Sequence, residues 1–469
     1  MSEQSLNIPA FGGINKLHTR ELGQPSRGKN FWTRSGALIT REGSSLLPNA
    51  SFASPIRSIH AGTRVTVSTR LLVEEGANLW VRPTAADAWT TIKSNVTGTG
   101  YNSAIWRGFL LLFSGTQMLA YNIESNTLAD ITNSAGSVPP MQHVAVEKDI
   151  IWGWAPNHPE SNMVRFNGYL KDAQGFILGR SKDVWPPDFA LDISGSSGTP
   201  VLDVIPYRGY RYCLTQRGSQ LIYGDNEENF RILPGDNIGV YRPGCSALAG
   251  STIVWLNFDI KGHPKVYAFT GTEPTVISQP IEELLFEEDF THVWAKALAS
   301  QFWLFFPKAT TTTCYVFDTD ERQWYIHEFP TSLQAATLFA EHMQMQDIHF
   351  GLQNGGVLRL DDSTTDFGNP ITTELFLGPF SLEGRRVKLR RIWLEADPRN
   401  DFTVNVYATA DQDREQGPYS VAVKKGNPIK ANVRIQQLRG RSIFLRLTTT
   451  EKINELQQAS LTVTVGEVK

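Results

Sequence analysis

The amino-acid sequence predicts an all-β protein: an irregular β-propeller of six or seven blades, followed by a small C-terminal antiparallel β-sandwich. Three observations lead there. A unit made of an apolar, aromatic-bearing strand, an Asn/Asp/Gly-rich turn and a second short strand recurs along the body of the chain. Its starts lie roughly 40 to 58 residues apart, and about four short strands per unit is the signature of propeller blades. Near 366–370 that rhythm gives way to two-residue alternation, the pattern of strands with one buried face. The 469 residues are 11% aromatic and only 19% charged, with 38 glycines, which suits many strands and many tight turns.

The clearest unit runs from Ser246 to Leu285. Its apolar runs are 251–257, 265–270 and 274–278, separated by Gly, Pro, Asp and Lys, and they read as antiparallel strands joined by hairpins. Trp255 and Phe269 need a face to bury against, which one hairpin cannot supply. Copies appear around 79–92, 119–128, 163–166, 221–233, 315–326 and 357–360. A generic antiparallel sandwich with coincidental spacing is the other architecture compatible with these runs.

In chain order, residues 1–52 form an N-terminal arm rich in Gly, Ser, Asn and Arg, in which Phe31 and Trp32 are placed to anchor it to the first blade or to a neighbouring subunit. An N-terminal strand that pairs into the last blade commonly closes a propeller ring. Residues 53–365 are the propeller. An insertion near 168–200, ending in a Gly/Ser run, falls between blades on the surface. A second, near 279–292, carries the one short helix expected in the body, with Pro280 at its start and helical spacing of Ile281, Leu284 and Leu285. Glu282, Glu283, Glu287 and Glu288 give it an acidic face, solvated or docked to a partner.

Residues 366–469 are the sandwich, with strands read at 387–394, 402–407, 421–423, 433–435, 443–447 and 461–465. Charge shifts with the architecture: residues 366–469 carry 16 Lys+Arg against 12 Asp+Glu, residues 1–365 carry 28 against 35. Arg385, Arg386, Lys388, Arg390 and Arg391 form a basic strand that continues into Trp393. It is either solubilising charge or a surface meeting an acidic partner subunit or a DNA path.

No catalytic constellation stands out. The sequence has no Gly-x-Ser-x-Gly elbow, no His-Glu-x-x-His helix, no phosphate loop and no paired Cys-x-x-Cys. The expectation is a non-enzyme without cofactor, metal or catalytic residues. The three cysteines are widely spaced and read as buried free thiols in a reducing compartment. The start lacks the pattern of a signal peptide, and no apolar stretch reaches the ~20 residues of a membrane span, so no membrane insertion is expected.

Two stretches carry a family resemblance. Gly250–Trp255 through Lys265–Leu285, with its Ile-Ser-x-x-Ile-Glu-x-x-Leu step, resembles the packaged-DNA stabilisation protein, the tail hub or nozzle, of short-tailed bacteriophages; so do 303–307, 315–318 and 323–325 that follow. The segment 30–43 resembles the opening of phage tail propeller proteins, with Glu42 where a Pro is common. The resemblance implies a structural virion protein of the tail, assembled in the bacterial host cytoplasm. It would form a homohexameric ring below the portal and adaptor rings. That ring would continue the channel for double-stranded DNA without reading its sequence, help retain packaged DNA, and anchor a needle, fibres or tailspikes. The competing reading is a carbohydrate-binding or glycan-cleaving propeller, which needs aromatics at a ring mouth with carboxylates among them. Trp152, Trp154 and Trp185 are its candidates.

Overall fold

The computed structural model describes residues 3–8, 10–15, 24–63, 69–82, 88–96, 100–134, 139–193, 198–342, 345–361, 363–381, 387–396, 401–411, 414–424, 429–435, 438–453 and 456–465. The chain is almost entirely β-structure, arranged as a seven-bladed propeller and a two-sheet sandwich.

Six blades are four-stranded sheets, spanning 56–94, 102–130, 143–192, 201–234, 246–276 and 294–329, each built from consecutive strands except the third, which a hairpin interrupts. The first strand of each blade lies beside the first strand of the next. The series runs Ile56–Thr63, Asn102–Trp106, His143–Glu147, Val201–Tyr207, Ser246–Ala249, Trp294–Leu298 and Leu333–His342, and it returns from the last to the first. That cycle is what makes the array a closed ring. The seventh blade takes three strands from 333–361 and its fourth, Gly43–Ser51, from near the N-terminus, paired antiparallel to Gly356–Asp361. The ring thus closes by the device the sequence suggested.

Strand position within a blade explains the sequence pattern. Second strands are covered by neighbouring blades on both faces, so they are continuously apolar: Ile150–Trp154 is buried throughout, as are the five central residues of Gln301–Pro307. Fourth strands form the rim. Thr90–Ser94, Thr127–Asp130 and Arg231–Pro234 are largely exposed. The turns Arg107-Gly108, Lys148-Asp149 and Arg208-Gly209 hold both residues at positive φ, the conformation whose twist matches a two-residue hairpin.

The sandwich is not purely C-terminal. One sheet has the order Arg27–Lys29, Thr373–Phe380, Ile443–Thr449, Phe402–Ala410, Gln416–Val423. The other centres on Val387–Ala396 and Leu456–Val465, and it also takes in Glu3–Ile8, Phe31–Arg34 and Ala37–Thr40. Phe402–Ala410 alternates strictly between buried and half-buried, as a strand with a single core face must. The described residues of 1–52 are therefore no separate arm. They complete the sandwich and then close the propeller, so that the propeller is inserted in the sandwich fold. The basic strand at 387–396 belongs to the sandwich and to no blade.

Two further expectations change. The insertion near 168–200 lies inside the third blade, between its third and fourth strands: a two-stranded hairpin, Tyr169–Lys171 with Ile177–Arg180, precedes the rim strand Ala190–Asp192. The helix near 280–289 is shorter than expected, a 3-10 turn at Gln279–Ile281 leading into one α-turn at Glu282–Leu285, between the fifth and sixth blades.

Candidate functional site

Phe31 and Trp32 meet the chain's own sixth blade, where a contact with the first blade was expected. Phe31 is fully buried edge-on to Tyr325, 5.8 Å between centroids. Trp32 lies 4.8 Å from Tyr325, 4.2 Å from His327 and 6.2 Å from Trp303. The hairpin that carries them is short, and its aromatic pair seats it on the last strand of the blade.

The four glutamates do not form one face. Glu282 pairs with Lys265 at 2.5 Å, and the largely buried Glu288 pairs with Lys308 at 3.2 Å while accepting a hydrogen bond from the Tyr315 hydroxyl at 3.2 Å. Burial and the Glu288 charge push the Tyr315 phenol up. Glu283 and Glu287 are exposed. A single helical turn cannot keep all four on one side, and two of them serve the inter-blade packing.

Arg385 and Arg386 lie outside the described residues. Lys388 is half-buried, Arg390 and Arg391 are exposed, and Trp393 is half-buried. The register slips between Leu389 and Arg391, and such a bulge lets both arginines face solvent. Ile392 and Leu394 sit in the sandwich core, so they add no apolar area to the exposed face. What the sequence did not show is the neighbouring strand. Lys388 stands opposite Arg439, and Arg391 opposite Arg434, with Arg434 and Arg439 both exposed. Like charges directly opposite are destabilising. The face is thus a basic strip four residues strong that gains from an anionic neighbour. Only the strand register reveals it, because the partners lie 43 and 51 residues on.

Elsewhere, polar groups are spent on holding blades together. Arg211 is buried against Glu147 at 2.5 Å, donates to the Gly224 carbonyl at 2.7 Å, and lies over the Trp152 ring at 4.7 Å. Around the ring axis, His60 accepts or shares a hydrogen bond with Ser103 at 2.8 Å, and Asp203 accepts one from Ser246. Burial, then the Lys296 charge, push His60 down to about 3, and burial pushes the Asp203 carboxyl up to about 6. Cys213, Cys245 and Cys314 are free and buried. No cluster of metal-ligating side chains occurs among the described residues.

Trp152, Trp154 and Trp185 are buried, so no sugar reaches their faces. A cleft of about 300 Å³ does lie between the Phe31–Thr40 hairpin and the sixth blade, lined by Trp32, Trp303, Gln301, Asp318 and Glu321 among others. Its groups are committed internally. Trp303 is buried, Asp318 accepts from the Asp320 and Glu321 amides at 3.0 Å, and Glu321 accepts from the Tyr325 hydroxyl at 2.7 Å.

No protein-family model and no curated protein matches the chain. Among solved structures it is similar to the N-terminal domain of Nup159 (TM-score 0.40, 7% identity, covering 68% of this chain and 94% of that one) and to the Neurospora crassa Pan2 WD40 domain (0.41, 9%, 71% and 98%). It is also similar to the extracellular domain of the putative hybrid two-component system BT4673 from B. thetaiotaomicron (0.45, 9%, 94% and 64%). The assignment of this chain as an all-β propeller with a sandwich rests on its own blade sheets and their closing strand.

Proposed function

We propose that the chain is a structural subunit of a short bacteriophage tail: a nozzle ring below the adaptor that continues the DNA channel, retains packaged DNA and anchors fibres, tailspikes or a needle. It acts by contact and closure, without catalysis or cofactor. The observation that carries the reading is the unlike charge of its two parts, a basic strip of half-buried Lys388 and exposed Arg391, Arg434 and Arg439 on the sandwich and an acidic balance over the propeller, 22 Lys+Arg against 32 Asp+Glu in 53–365. A contact between unlike faces of identical subunits repeats around an axis and closes a ring. The stretches that resemble the tail-hub family fall on the fifth blade, its helical turn and the sixth blade. The same acidic balance suits a wall along which DNA must slide, since each phosphate contact adds salt-dependent grip.

The test is imaging and mass measurement of the purified protein. Rings of six subunits with an open lumen are expected, and charge reversal at Arg391 and Arg434 is expected to dissociate them and to let packaged DNA escape from filled heads. A protein that stays monomeric at high concentration and alongside its adaptor overturns the proposal.

A further inference from the structure

The hairpin inserted in the third blade is the surface feature that the packing leaves unexplained. Leu170, Phe176, Ile177 and Leu178 are 49%, 71%, 62% and 63% exposed. Three of them are consecutive, so both faces of the hairpin are apolar and open. Together they show on the order of 400 Å² of apolar surface, as much as the largest patch on many monomers.

Nor is the hairpin loose. The Arg180 guanidinium lies over the Tyr169 ring at 4.4 Å and reaches Glu227 of the fourth blade at 3.1 Å. Arg107 of the second blade donates to the Arg180 carbonyl at 3.2 Å, and Asp172 caps the turn by accepting from the Phe176 amide at 2.7 Å. Two strands alone are marginal in water; here the root is fixed from both neighbouring blades and the tip is presented. A preorganised apolar tip lowers the ordering cost of binding.

A second apolar patch lies on the fifth blade. Ile260 is 103% exposed at the turn between the second and third strands, and Phe286, 49% exposed, packs edge-on to His263 at 5.0 Å. Blade topology sets the two patches on opposite faces of the disc. Turns joining first to second and third to fourth strands open on one face, as the ion pairs Arg107–Asp149 and Lys148–Asp225 illustrate. Turns joining second to third strands, and the links between blades, open on the other, where Arg242 reaches the Thr291 carbonyl at 2.6 Å. Exposed Lys171 flanks the first patch, and exposed Lys261 and Glu287 flank the second.

We infer that the occupant of the 169–180 hairpin is a second copy of this chain, whose Ile260–Phe286 patch receives it. Two unlike apolar patches on opposite faces of one molecule, with Lys171 beside one able to meet Glu287 beside the other, form a head-to-tail contact that every copy both gives and receives. The hairpin alone supplies about half of the roughly 800 Å² per side that a stable interface buries, so the contact also draws in the loops around it. The inference deepens the ring reading and rests on it for closure.

Cysteine pairing tests this in the full chain, whose own cysteines are buried. The double variant Ile177→Cys/Ile260→Cys is expected to give, on oxidation, a ladder of linked copies, and each single variant none. Phe176→Ser/Ile177→Ser is expected to weaken self-association at least about thirtyfold, the loss a central anchor brings, with the melting temperature of the monomer unchanged. A ring that survives the serine variant, or linkage of Ile177→Cys to itself, overturns the inference and leaves the ring. A ladder with no closed species retains the head-to-tail contact and overturns the ring. A wild-type monomer overturns both.

Discussion

Arg41 and Asp366, 325 positions apart, share a buried ion pair at the neck where the chain enters and leaves the propeller. Arg41 donates through Nη1 to Asp366 Oδ1 at 3.1 Å, through Nε to Asn30 Oδ1 at 2.9 Å and through Nη2 to the Glu328 carbonyl at 2.9 Å. Its guanidinium lies 4.3 Å from the Phe329 ring centre. Ser44 donates to the same carboxylate at 2.6 Å. One arginine thus ties the sandwich, the sixth blade and the strand that closes the seventh.

Removing one member of that pair strands the other charge in the interior, which typically costs 3–5 kcal/mol. Arg41→Met and Asp366→Asn are each expected to destabilise by about that much in urea titration. The double variant should cost clearly less than the sum, because the two share one network. Additive losses would mean that the pair is incidental.

Trp32 gives a prediction that separates two roles. If it seats the N-terminal hairpin on the sixth blade, Trp32→Ala lowers the stability of the isolated chain by about 3 kcal/mol, near the low end for losing a packed Trp. The measurement is thermal unfolding at a concentration where the chain is monomeric. An unchanged melting temperature together with lost assembly would return Trp32 to the subunit interface.

How legible was this fold? Blade interiors were plain, because runs such as Phe109–Phe113 and Gln301–Pro307 are buried on both faces and so read as unbroken apolar strands. Rim strands were legible only in part, as at Thr127–Asp130, where Leu128 is the one large apolar residue. The destination of residues 1–52 could not be read locally: Glu3–Ile8 pairs with Leu456–Val465 and Arg27–Lys29 with Thr373–Phe380, and composition encodes no such long-range partner. The candidate surfaces fared likewise. Lys388 and Arg391 were visible, while their counterparts Arg439 and Arg434 needed the register. The acidic stretch divides, because salt bridges to Lys265 and Lys308 engage two of its four members, and those lysines are not marked by local sequence.

Acid should weaken the fold through buried neutral histidines. Burial pushes His349 down to about 4, and burial with the Lys296 charge pushes His60 down to about 3. In the unfolded chain a histidine titrates near 6.5. Above that value both states are neutral and the stability is fully present. As pH falls, the unfolded chain takes up protons that the folded one refuses, so stability is lost from pH 6.5 down to the folded value. At pH 5 the loss is about 2 kcal/mol for each such group. Denaturant titrations at pH 7.5 and 5 should show it, with a shallower slope for His349→Gln. A fold equally stable at both values would contradict the burial of these rings.

The glutamates around the helical turn make the sharpest division between packing and docking. Glu282 and Glu288 hold Lys265 and Lys308, and Glu288 also takes the Tyr315 hydroxyl. Reversing either charge places two cations together in a partly buried site. Glu282→Lys and Glu288→Lys are therefore expected to lower the stability of the monomer, by about 1–3 kcal/mol for the more buried Glu288, the usual cost of leaving a buried polar partner unsatisfied. Glu283 and Glu287 are exposed, where substitutions usually change stability by less than about 0.5 kcal/mol. For Glu283→Lys/Glu287→Lys the expectation is an unchanged melting temperature with impaired assembly, since Glu287 flanks the patch assigned to the neighbouring hairpin. Lys171→Glu, on the hairpin, should then partly restore assembly when combined with Glu287→Lys. A Glu283→Lys/Glu287→Lys variant that melts and assembles like the wild type would remove this face from the contact. A rescue by Lys171→Glu would tie it to the hairpin of the next copy.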